Sequence, residues 1–378
     1  MKKFAYSEPC LDEEDKKAVL EVLNSKQLTQ GKYSLLFEEA LCEFLGVKHA
    51  LAFNSATSAL LTLYRNFSES SADRNEIITT PISFVATANM LLESGYKPVF
   101  AEVKNDGNID ELALEKLITK KTKAIVSVDY AGKSVEVESV QRLCKKHSLS
   151  FLSDSSHALG SEYQNKKVGG FALASVFSFH AIKPITTAEG GAVVTNNSEL
   201  YEKMKLFRSH GMLKKDFFEG EVKSIGHNFR LNEIQSALGL SQLKKAPLLM
   251  QKREEIALTY DRIFKDNPYF TPLHPLLKHQ SSNHLYPILM DQKFFTFKRS
   301  ILESLHKRGI LAQVHYKPIY QYQLYQQLFN TAPLKNAEDF YNAEISLPCH
   351  ANLNLESVQN IAHGVLKTFE GFNRMSSV

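Results

Sequence analysis

The feature that most constrains the fold is a regular alternation of two sequence patterns between residues 50 and 195. Short apolar or β-branched runs alternate with longer stretches whose apolar residues recur at helical spacing. An alternation of this kind is typical of an α/β domain with a mostly parallel sheet. We therefore predict a seven-stranded, mostly parallel sheet, whose strands are the runs at residues 50–53, 77–80, 98–103, 124–128, 150–152, 176–179 and 192–195.

Helical periodicity is present before, between and after these strands. Pro247 separates the last two helical stretches, and from about residue 268 strand-like and helical patterns mix. We therefore place a domain boundary near residue 246, with an N-terminal arm and a large domain in residues 1–246 and a smaller α+β domain in residues 247–378. The predicted helices are residues 13–24, 35–45, 56–66, 109–118, 135–147, 231–244 and 249–264.

The residues that directly follow the predicted strands matter most, because ligands of open α/β sheets bind beyond the carboxyl ends of the strands. Residues 54–59 open a helix with small and hydroxyl side chains, which leaves backbone N–H groups free to face an anion. Phe84 lies between a strand and a helix, where an aromatic ring can cover a planar ligand. Taken alone, the helix start at residues 54–59 is also typical of an ordinary helix cap. Taken alone, Phe84 is also typical of a core residue.

Two charged residues follow later strands. Asp154 stands in the segment Ser-Asp-Ser-Ser-His directly after an apolar run. Lys183 stands beside Pro184, between the last two predicted strands. Taken alone, an acid in this position either caps a helix or points into a site. A lysine in this position is either an ordinary loop lysine or a functional amine.

Together the four features match the requirements of a pyridoxal 5'-phosphate site, which are an amine, an acid, a ring stacker and a phosphate cradle. The acid keeps the pyridine nitrogen protonated, and the lysine must be partly neutral to act as nucleophile and base. The sequence therefore predicts pyridoxal 5'-phosphate as the cofactor, with Lys183 carrying it as an internal Schiff base. Asp154 is the predicted partner of the pyridine nitrogen.

The segment Ser-Phe-His-Ala-Ile-Lys at residues 178–183, followed by Glu-Gly-Gly at residues 189–191, resembles the DegT-type nucleotide-sugar aminotransferases. The resemblance covers nearly the whole chain and implies the fold-type I architecture of pyridoxal-phosphate aminotransferases. Any one of its motifs is modest, but the ordered set is specific. The other motifs are Asn-Ser-Ala-Thr-Ser-Ala-Leu at residues 54–60, Asp-Ser-Ser-His-Ala at 154–158, Arg-Ser-His-Gly at 208–211 and Gly-His-Asn-Phe-Arg-Leu-Asn-Glu at 226–233.

The resemblance also implies roles for individual residues at the cofactor. Lys183 forms the Schiff base and moves protons, Asp154 pairs with the pyridine nitrogen, and His157 lies near the phenolic oxygen. Phe84 stacks on the ring. The implied homodimer has shared active sites, in which the phosphate is held by Ala56, Thr57 and Ser178, with Asn228 of the partner subunit.

Residues 4–9 and 26–31 resemble the branch of the family that aminates a UDP-linked 4-keto-sugar. The resemblance implies transfer of an amino group from L-glutamate to C4 of UDP-2-acetamido-2,6-dideoxy-β-L-arabino-hex-4-ulose. The group that binds the glutamate carboxylate is not assigned, and Arg230 is only a candidate. The implied substrate-binding residues are Tyr6, Lys26, Gln27, Leu28, Thr29, Gln313, Val314, His315 and Tyr316.

Other functions fit parts of the same sequence. An aminotransferase for a different UDP- or dTDP-4-keto-6-deoxy sugar would share the motifs, and a pyridoxal-phosphate dehydratase or lyase would share the fold. Dehydratases that resemble this family carry histidine in place of the lysine, so Lys183 favours transamination. A non-catalytic pyridoxal-binding regulator would normally carry a basic, DNA-binding extra domain. A nicotinamide oxidoreductase on a doubly wound sheet would need a G-x-G-x-x-G helix start. The sequence contains neither feature.

Composition and charge limit the partners and the location. The formal net charge is only +4, which is no signature of nucleic-acid binding. The polar first ten residues and the lack of a run of about eighteen apolar residues predict no signal peptide and no membrane span. The four cysteines are far apart in sequence, so we expect reduced thiols in a cytoplasmic protein and no metal site. Residues 213–222 have mixed charge and are expected to form a surface loop.

Overall fold

A computed structural model describes residues 3–68, 73–214, 216–273 and 281–375. The described strands before residue 200 are β1 (His49–Phe53), β2 (Glu76–Thr79), β3 (Lys97–Phe100), β4 (Thr122–Val128), β5 (Ser150–Asp154), β6 (Glu162–Tyr163), β7 (Lys166–Lys167), β8 (Ala174–Ser178) and β9 (Gly191–Thr195). Strands β6 and β7 form a separate short hairpin. The other strands form one seven-stranded sheet in the order β1-β9-β8-β5-β4-β2-β3, in which β9 runs antiparallel to both neighbours and the remaining pairs are parallel. The predicted seven-stranded, mostly parallel sheet is therefore confirmed.

Side chains alternate between the two faces of this sheet, as the pleat of a β-strand requires. On β9, Val193 packs into a cluster with Leu60 and Leu63, whereas Ala192 and Val194 pack into a second cluster on the opposite face. Both faces are thus covered by helices. The helices described up to residue 244 are α1 (Glu13–Ser25), α2 (Lys32–Leu45), α3 (Ala56–Asn66), α4 (Ala86–Glu93), α5 (Val137–His147), α6 (Ser198–Arg208) and α7 (Glu233–Lys244).

The C-terminal part of the chain builds a second, smaller core around a three-stranded antiparallel sheet in the order β12-β13-β14, whose strands are Phe270–Pro272, Tyr286–Met290 and Glu344–Leu347. Tyr260, Phe264, Ile288 and Phe369 are among the buried residues of this core. The helices are α8 (Ala246–Phe264), α9 (Lys298–Lys307), α10 (Gln323–Leu328), α11 (Lys335–Ala343) and α12 (Leu355–Met375). Short 3₁₀ turns lie at Glu115–Leu117, Tyr130–Gly132, Gln292–Phe297 and Ile319–Gln321. The domain boundary near residue 246 stays a prediction.

Two predictions about helices are wrong. Residues 109–118 contain only a 3₁₀ turn at their end, because Ile109 forms a β-bridge with Val103. The Asp110 carboxylate also accepts the N–H of Leu112 at 3.0 Å, and such local side-chain bonds compete with helix formation. Pro247 does not separate two helices but lies in the first turn of α8. Proline is tolerated there because the first turn needs no N–H donor.

The expected surface loop at residues 213–222 is instead a hairpin. Its strands are β10 (Met212–Lys214) and β11 (Gly220–Val222), which pair antiparallel. Phe217 and Phe218 at its tip are almost fully exposed. The sequence did not predict these strands, because the mixed charge hides the short alternation that a two-stranded ribbon needs. Within the described ranges, no helix has the length and apolar character needed to cross a membrane.

Candidate active site

The carboxyl ends of the parallel strands bring the predicted cofactor residues to one edge of the sheet. Asp154, the last residue of β5, pairs with Val128 of β4 and with Val176 of β8. Ser178, the last residue of β8, pairs with Gly191, and Gly191 pairs on its other side with Phe53. Phe53 is the last residue of β1 and leads directly into α3. The residues after β1, β5 and β8 therefore lie along one edge.

Lys183 lies in the loop after β8, and hydrogen bonds fix this loop at several points. The Lys183 N–H donates to the His180 carbonyl at 2.9 Å, and the Ser7 hydroxyl donates to the Ile182 carbonyl at 2.9 Å. Burial lowers the pKa of Lys183 to about 7; the Asp154 carboxylate opposes this change, and the Arg253 guanidinium adds to it. A large fraction of the amine is therefore neutral near pH 7, as a nucleophile or base requires.

Asp154 is a buried carboxylate, 5% exposed, that is held by neutral donors. Its Oδ2 accepts the Thr87 hydroxyl at 2.7 Å, and its Oδ1 accepts the Ser156 N–H at 3.1 Å. The Ser156 contact is the local bond of a capping residue, but Thr87 comes from α4 on a distant part of the chain. In the described chain no cation forms a salt bridge with Asp154, so the buried carboxylate can still accept a charged N–H from a ligand.

His157 is buried and neutral, and its contacts define which nitrogen carries the proton. Burial lowers its pKa well below the usual value, and the positive charge of Lys183 adds to this effect. The Ala131 N–H points at Nδ1 from 3.3 Å, so Nδ1 carries the lone pair. The proton is therefore on Nε2, which lies 3.2 Å from the Tyr316 hydroxyl. His157 thus presents a donor to Tyr316 and to the space beside it.

His315 is oriented by two residues of β14. Its Nδ1 lies 2.9 Å from the Ser346 hydroxyl, which itself donates to Oε1 of Glu344 at 2.5 Å. Because the single hydroxyl hydrogen of Ser346 goes to Glu344, Ser346 can only accept from His315. The proton of His315 is therefore on Nδ1, and Nε2 keeps a lone pair. The second carboxylate oxygen of Glu344 accepts the backbone N–H of His315 at 2.7 Å.

Aromatic rings line the same space. The Phe84 ring lies 6.4 Å from the Tyr316 ring, and the Tyr6 ring lies 5.4 Å from the His315 ring. Phe84 is 61% exposed, so it is not a core residue, and one face of its ring is open to a ligand. Tyr6 belongs to the N-terminal arm, whose Phe4 pairs with Ile310 and whose Tyr6 carbonyl accepts the Cys349 N–H at 3.2 Å. The arm therefore joins the C-terminal part of the chain to the Lys183 loop.

The N-terminus of α3 lies at this edge as a candidate anion site. Ser55 caps the helix by accepting the Ser58 N–H at 3.1 Å, whereas the N–H groups of Ala56 and Thr57 stand in the first turn, where a helix offers no acceptor. A Cβ atom on Gly191 would meet the Ala56 nitrogen at 2.5 Å. Only glycine therefore lets β9 run against the start of α3 and leaves the cradle open beside Ser178.

The remaining predicted site residues lie at other places. Asn228 is exposed, pairs with Ser209, and its carbonyl accepts the Asn54 amide at 3.5 Å. Gln313 is exposed and pairs with Ser346, and Val314 is half-buried. The segment Lys26, Gln27, Leu28 and Thr29 contacts the start of α7, where the Leu28 carbonyl accepts the Glu233 N–H at 3.0 Å.

Sequence reasoning missed several residues of this site. His284 lies beside the Lys183 amine, with 3.4 Å between Nε2 and Nζ, and its ring lies 4.5 Å from that of His157. Thr87 binds Asp154, and the buried Arg253 adds positive charge near Lys183. Thr87 lies three residues after Phe84, close to a position that the sequence singled out. Nothing in the sequence pattern points to His284 or Arg253. Arg230, the candidate carboxylate binder, pairs with Phe53 at the end of β1.

This set of residues fits pyridoxal 5'-phosphate. Four groups lie at one sheet edge: a partly buried amine, a buried carboxylate without a cation, an open aromatic face and a helix N-terminus cradle. Each of these groups matches one part of the cofactor. Within the described ranges, no cluster of three or more His, Cys, Asp or Glu side chains is arranged to hold a metal ion.

Comparison with known proteins gives a consistent result. The model of the DegT/DnrJ/EryC1/StrS aminotransferase family matches residues 9–366. The UDP-4-amino-4,6-dideoxy-N-acetyl-beta-L-altrosamine transaminase of Helicobacter pylori is 93% identical over 372 residues, which are 98% of this chain and 99% of that protein. The solved structure of Helicobacter pylori PseC, an aminotransferase involved in the biosynthesis of pseudoaminic acid, has a TM-score of 0.97 at 93% identity and covers 98% of this chain and 100% of its own. A putative sugar aminotransferase from Streptococcus pneumoniae, solved in its PLP form, has a TM-score of 0.92 at 28% identity, with 98% and 99% covered.

Proposed function

Because this chain belongs to the DegT/DnrJ/EryC1/StrS aminotransferase family, we propose that it transfers an amino group from L-glutamate to C4 of UDP-2-acetamido-2,6-dideoxy-β-L-arabino-hex-4-ulose. The product is UDP-4-amino-4,6-dideoxy-N-acetyl-β-L-altrosamine, in the biosynthesis of pseudaminic acid. The observation that carries this proposal is the 93% identity, over nearly the whole chain, to the transaminase of Helicobacter pylori. The chain is an enzyme, and the predicted family, fold-type I architecture and pyridoxal 5'-phosphate cofactor are confirmed.

The proposal gives each residue at the cofactor a role that its position supports. When bound, pyridoxal phosphate supplies an electron-withdrawing ring that stabilises negative charge on the substrate carbon. Lys183 removes and returns the proton at that carbon with Nζ, since its amine is partly neutral near pH 7. Asp154 accepts the N–H of the ring nitrogen and favours its protonated form. Phe84 offers its open face to the ring.

Further residues hold the ends of the cofactor. The first-turn N–H groups of Ala56 and Thr57, together with the Ser178 hydroxyl, bind the phosphate. The Nε2–H of His157 and the Tyr316 hydroxyl stand ready to donate toward the phenolic oxygen. These donors favour the negative charge that this oxygen carries, which is the usual effect of preorganised hydrogen bonds in a buried site.

The substrate is held between the arm and the C-terminal part of the chain. The lone pair on Nε2 of His315 accepts a hydroxyl or amide hydrogen of the sugar, and Tyr6 packs beside it. Gln313 and Val314 belong to the same segment as His315 and contribute to the same substrate-binding surface. The exposed Asn228 reaches the cofactor phosphate of a partner subunit, so the working form is a homodimer with shared active sites. The segment from Lys26 to Thr29 contacts the substrate. We place this dimer in the cytoplasm, where glutamate and UDP-sugars are available.

The deciding experiment is incubation of the holoenzyme with glutamate and a panel of UDP- and dTDP-4-keto-6-deoxy sugars, with the products identified by mass. We expect amination of the UDP-linked N-acetylhexos-4-ulose. Amination of another panel member alone would move the assignment to that sugar. Loss of a hydroxyl without gain of nitrogen would identify a dehydratase, a reaction that Lys183 disfavours. Efficient exchange among amino acids and keto acids, with no reaction on a nucleotide sugar, would overturn the substrate class.

A further inference from the structure

His284 is a buried residue in direct contact with the Lys183 amine. Its side chain is 2% exposed, and Nε2 lies 3.4 Å from Nζ although the two residues are 101 positions apart in sequence. It belongs to residues 281–285, which precede β13 and reach from the C-terminal part of the chain to the large sheet. Neither the sequence motifs nor the cofactor chemistry described above assigns this residue a role.

The backbone around His284 is fixed to the large domain. The Ser282 hydroxyl donates to the His157 carbonyl at 2.5 Å, and the Ser282 N–H donates to the Ser161 hydroxyl at 2.9 Å. Arg253 donates to the His284 carbonyl at 3.4 Å from the other side. A side chain on a backbone held at this many points has little freedom to leave the Lys183 amine. The fold therefore holds the His284 ring against the Lys183 amine.

The hydrogen-bonding capacity of His284 suits an amine that changes its protonation state. In the described chain Nδ1 is buried without a partner, so Nε2 is the engaged ring nitrogen. Burial lowers the pKa of His284 well below its usual range, and the positive charge of Lys183 adds to this effect. A neutral imidazole has one lone pair and one N–H. Its Nε2 can accept from the ammonium form of Lys183 and, in the other tautomer, can donate to the neutral amine.

We propose that His284 is a positioning residue that holds the Lys183 amine in both of its protonation states whenever that amine is free. The proposal deepens the function proposed above, in which the free amine must take up and return a proton at one place. A partner that only donates would release Nζ in the ammonium form, which has no lone pair to accept a hydrogen bond. The other titratable or charged groups around Lys183 are Asp154, His157, Arg253 and His315, and the Tyr316 hydroxyl contacts His157.

The test measures Lys183 itself in the full-length protein freed of cofactor. Short pulses of acetic anhydride over a pH series, read by peptide mass, give the midpoint pH at which Lys183 becomes reactive. We expect His284→Leu to lower this midpoint by about one pH unit or more, because the ammonium form loses a hydrogen-bond acceptor. His284→Gln keeps an acceptor near the place of Nε2 and should stay within about three tenths of a unit of wild type.

The matched control is His350→Leu, because His350 is also 2% exposed but its pKa is influenced by Glu8 and Arg253 rather than by Lys183. It should leave the Lys183 midpoint unchanged. If His284→Leu does not fold, His284→Asn replaces it, since the shorter amide does not reach Nζ. A wild-type midpoint in the His284→Leu or His284→Asn protein, or equal shifts in the His284→Gln and His284→Leu proteins, would overturn the proposal. Labelling needs no sugar, so failure of the substrate assignment is seen separately.

Discussion

The Thr87 hydroxyl donates a 2.7 Å hydrogen bond to Oδ2 of Asp154 and so ties the first turn of α4 to the carboxyl end of β5. Thr87 is itself held by Ser83, with 2.8 Å between the two hydroxyl oxygens. The carboxylate is therefore oriented before any ligand arrives. This orientation is what a group that must face one ring nitrogen requires, because preorganised dipoles need no rearrangement during the reaction.

We predict that Asp154→Asn folds but loses about a hundredfold in kcat, equivalent to about 2 to 3 kcal/mol of transition-state stabilisation. A neutral amide does not favour the protonated ring nitrogen. Steady-state kinetics and the visible absorbance of the bound cofactor measure the effect. The control is Asp129→Asn, which alters another buried acid at the end of β4 and should keep kcat within a few-fold. Near-normal kcat for Asp154→Asn would reduce Asp154 to a helix cap.

Lys183→Ala is expected to abolish turnover and to remove the visible band of the bound cofactor. No other lysine described here lies beside His284 and the carboxyl edge of the sheet. Absorbance spectroscopy and an activity assay check both effects. The exposed Lys145→Ala on α5 provides a control that should behave as wild type. A Lys183→Ala protein that retained the band and the activity would show that another amine carries the cofactor.

Asp129 should make stability depend on pH. Burial raises its pKa to about 6, against hydrogen bonds from Ser155, Val135 and Ser153 that lower it. The folded pKa of Asp129 lies above the unfolded value of 3.8, so the folded state binds this proton more tightly than the unfolded state does. The resulting contribution to folding stability is complete below about pH 4 and is lost as pH rises to about 6. The loss is about 3 kcal/mol. We expect Asp129→Asn to gain stability relative to wild type over this range in urea unfolding; a constant difference would contradict the assignment.

Shared active sites predict complementation between two inactive proteins. A mixed dimer of Lys183→Ala and Asn228→Asp subunits has both lesions in one site and none in the other. Random reassociation should therefore restore about a quarter of wild-type activity, because half of the dimers are mixed. Subunits mixed without dissociation serve as the control. Failure to recover any activity after verified exchange would place Asn228 in its own subunit's site, and a fully active monomer in light scattering would exclude sharing.

Lys26 should act on binding rather than on chemistry. If it contacts the diphosphate, that contact exists in both the ground state and the transition state, so Lys26→Ala should raise KM more than it lowers kcat. The increase in KM should shrink at high salt, because the exposed charge is screened. Lys17→Ala, on the exposed side of α1, is the matched control. A loss confined to kcat would contradict this role.

The sequence was informative where one local pattern decides the structure. Each of the seven strands of the large sheet was predictable because strands buried on both faces are short apolar runs. Asp154 and Lys183 stand at or just beyond the ends of two of them. The helix predicted at residues 109–118 failed because Asp110 satisfies the Leu112 N–H through its own side chain. Apolar spacing alone does not reveal such a competing bond.

His284 could not be predicted from the sequence, for a different reason. Its importance depends on a contact across 101 residues, between two parts of the chain with separate cores. The residues around it, Ser281 to Asn283, have the composition of an ordinary turn. The same applies to the pair Ser346 and Glu344, which sets the proton position on His315 only because β14 runs beside residue 313. Long-range contacts of this kind follow from the fold and not from motif spacing.

The N-terminal arm limits how this protein can be engineered. Phe4 is hydrogen-bonded to residues 309 and 311, and three residues later Ser7 holds the Ile182 carbonyl next to Lys183. A single residue inserted between Phe4 and Ser7 would displace one of these anchors by about 3.3 Å, more than a hydrogen bond tolerates. Insertions and linkers are therefore better placed at the exposed hairpin tip near Phe217 than in the arm.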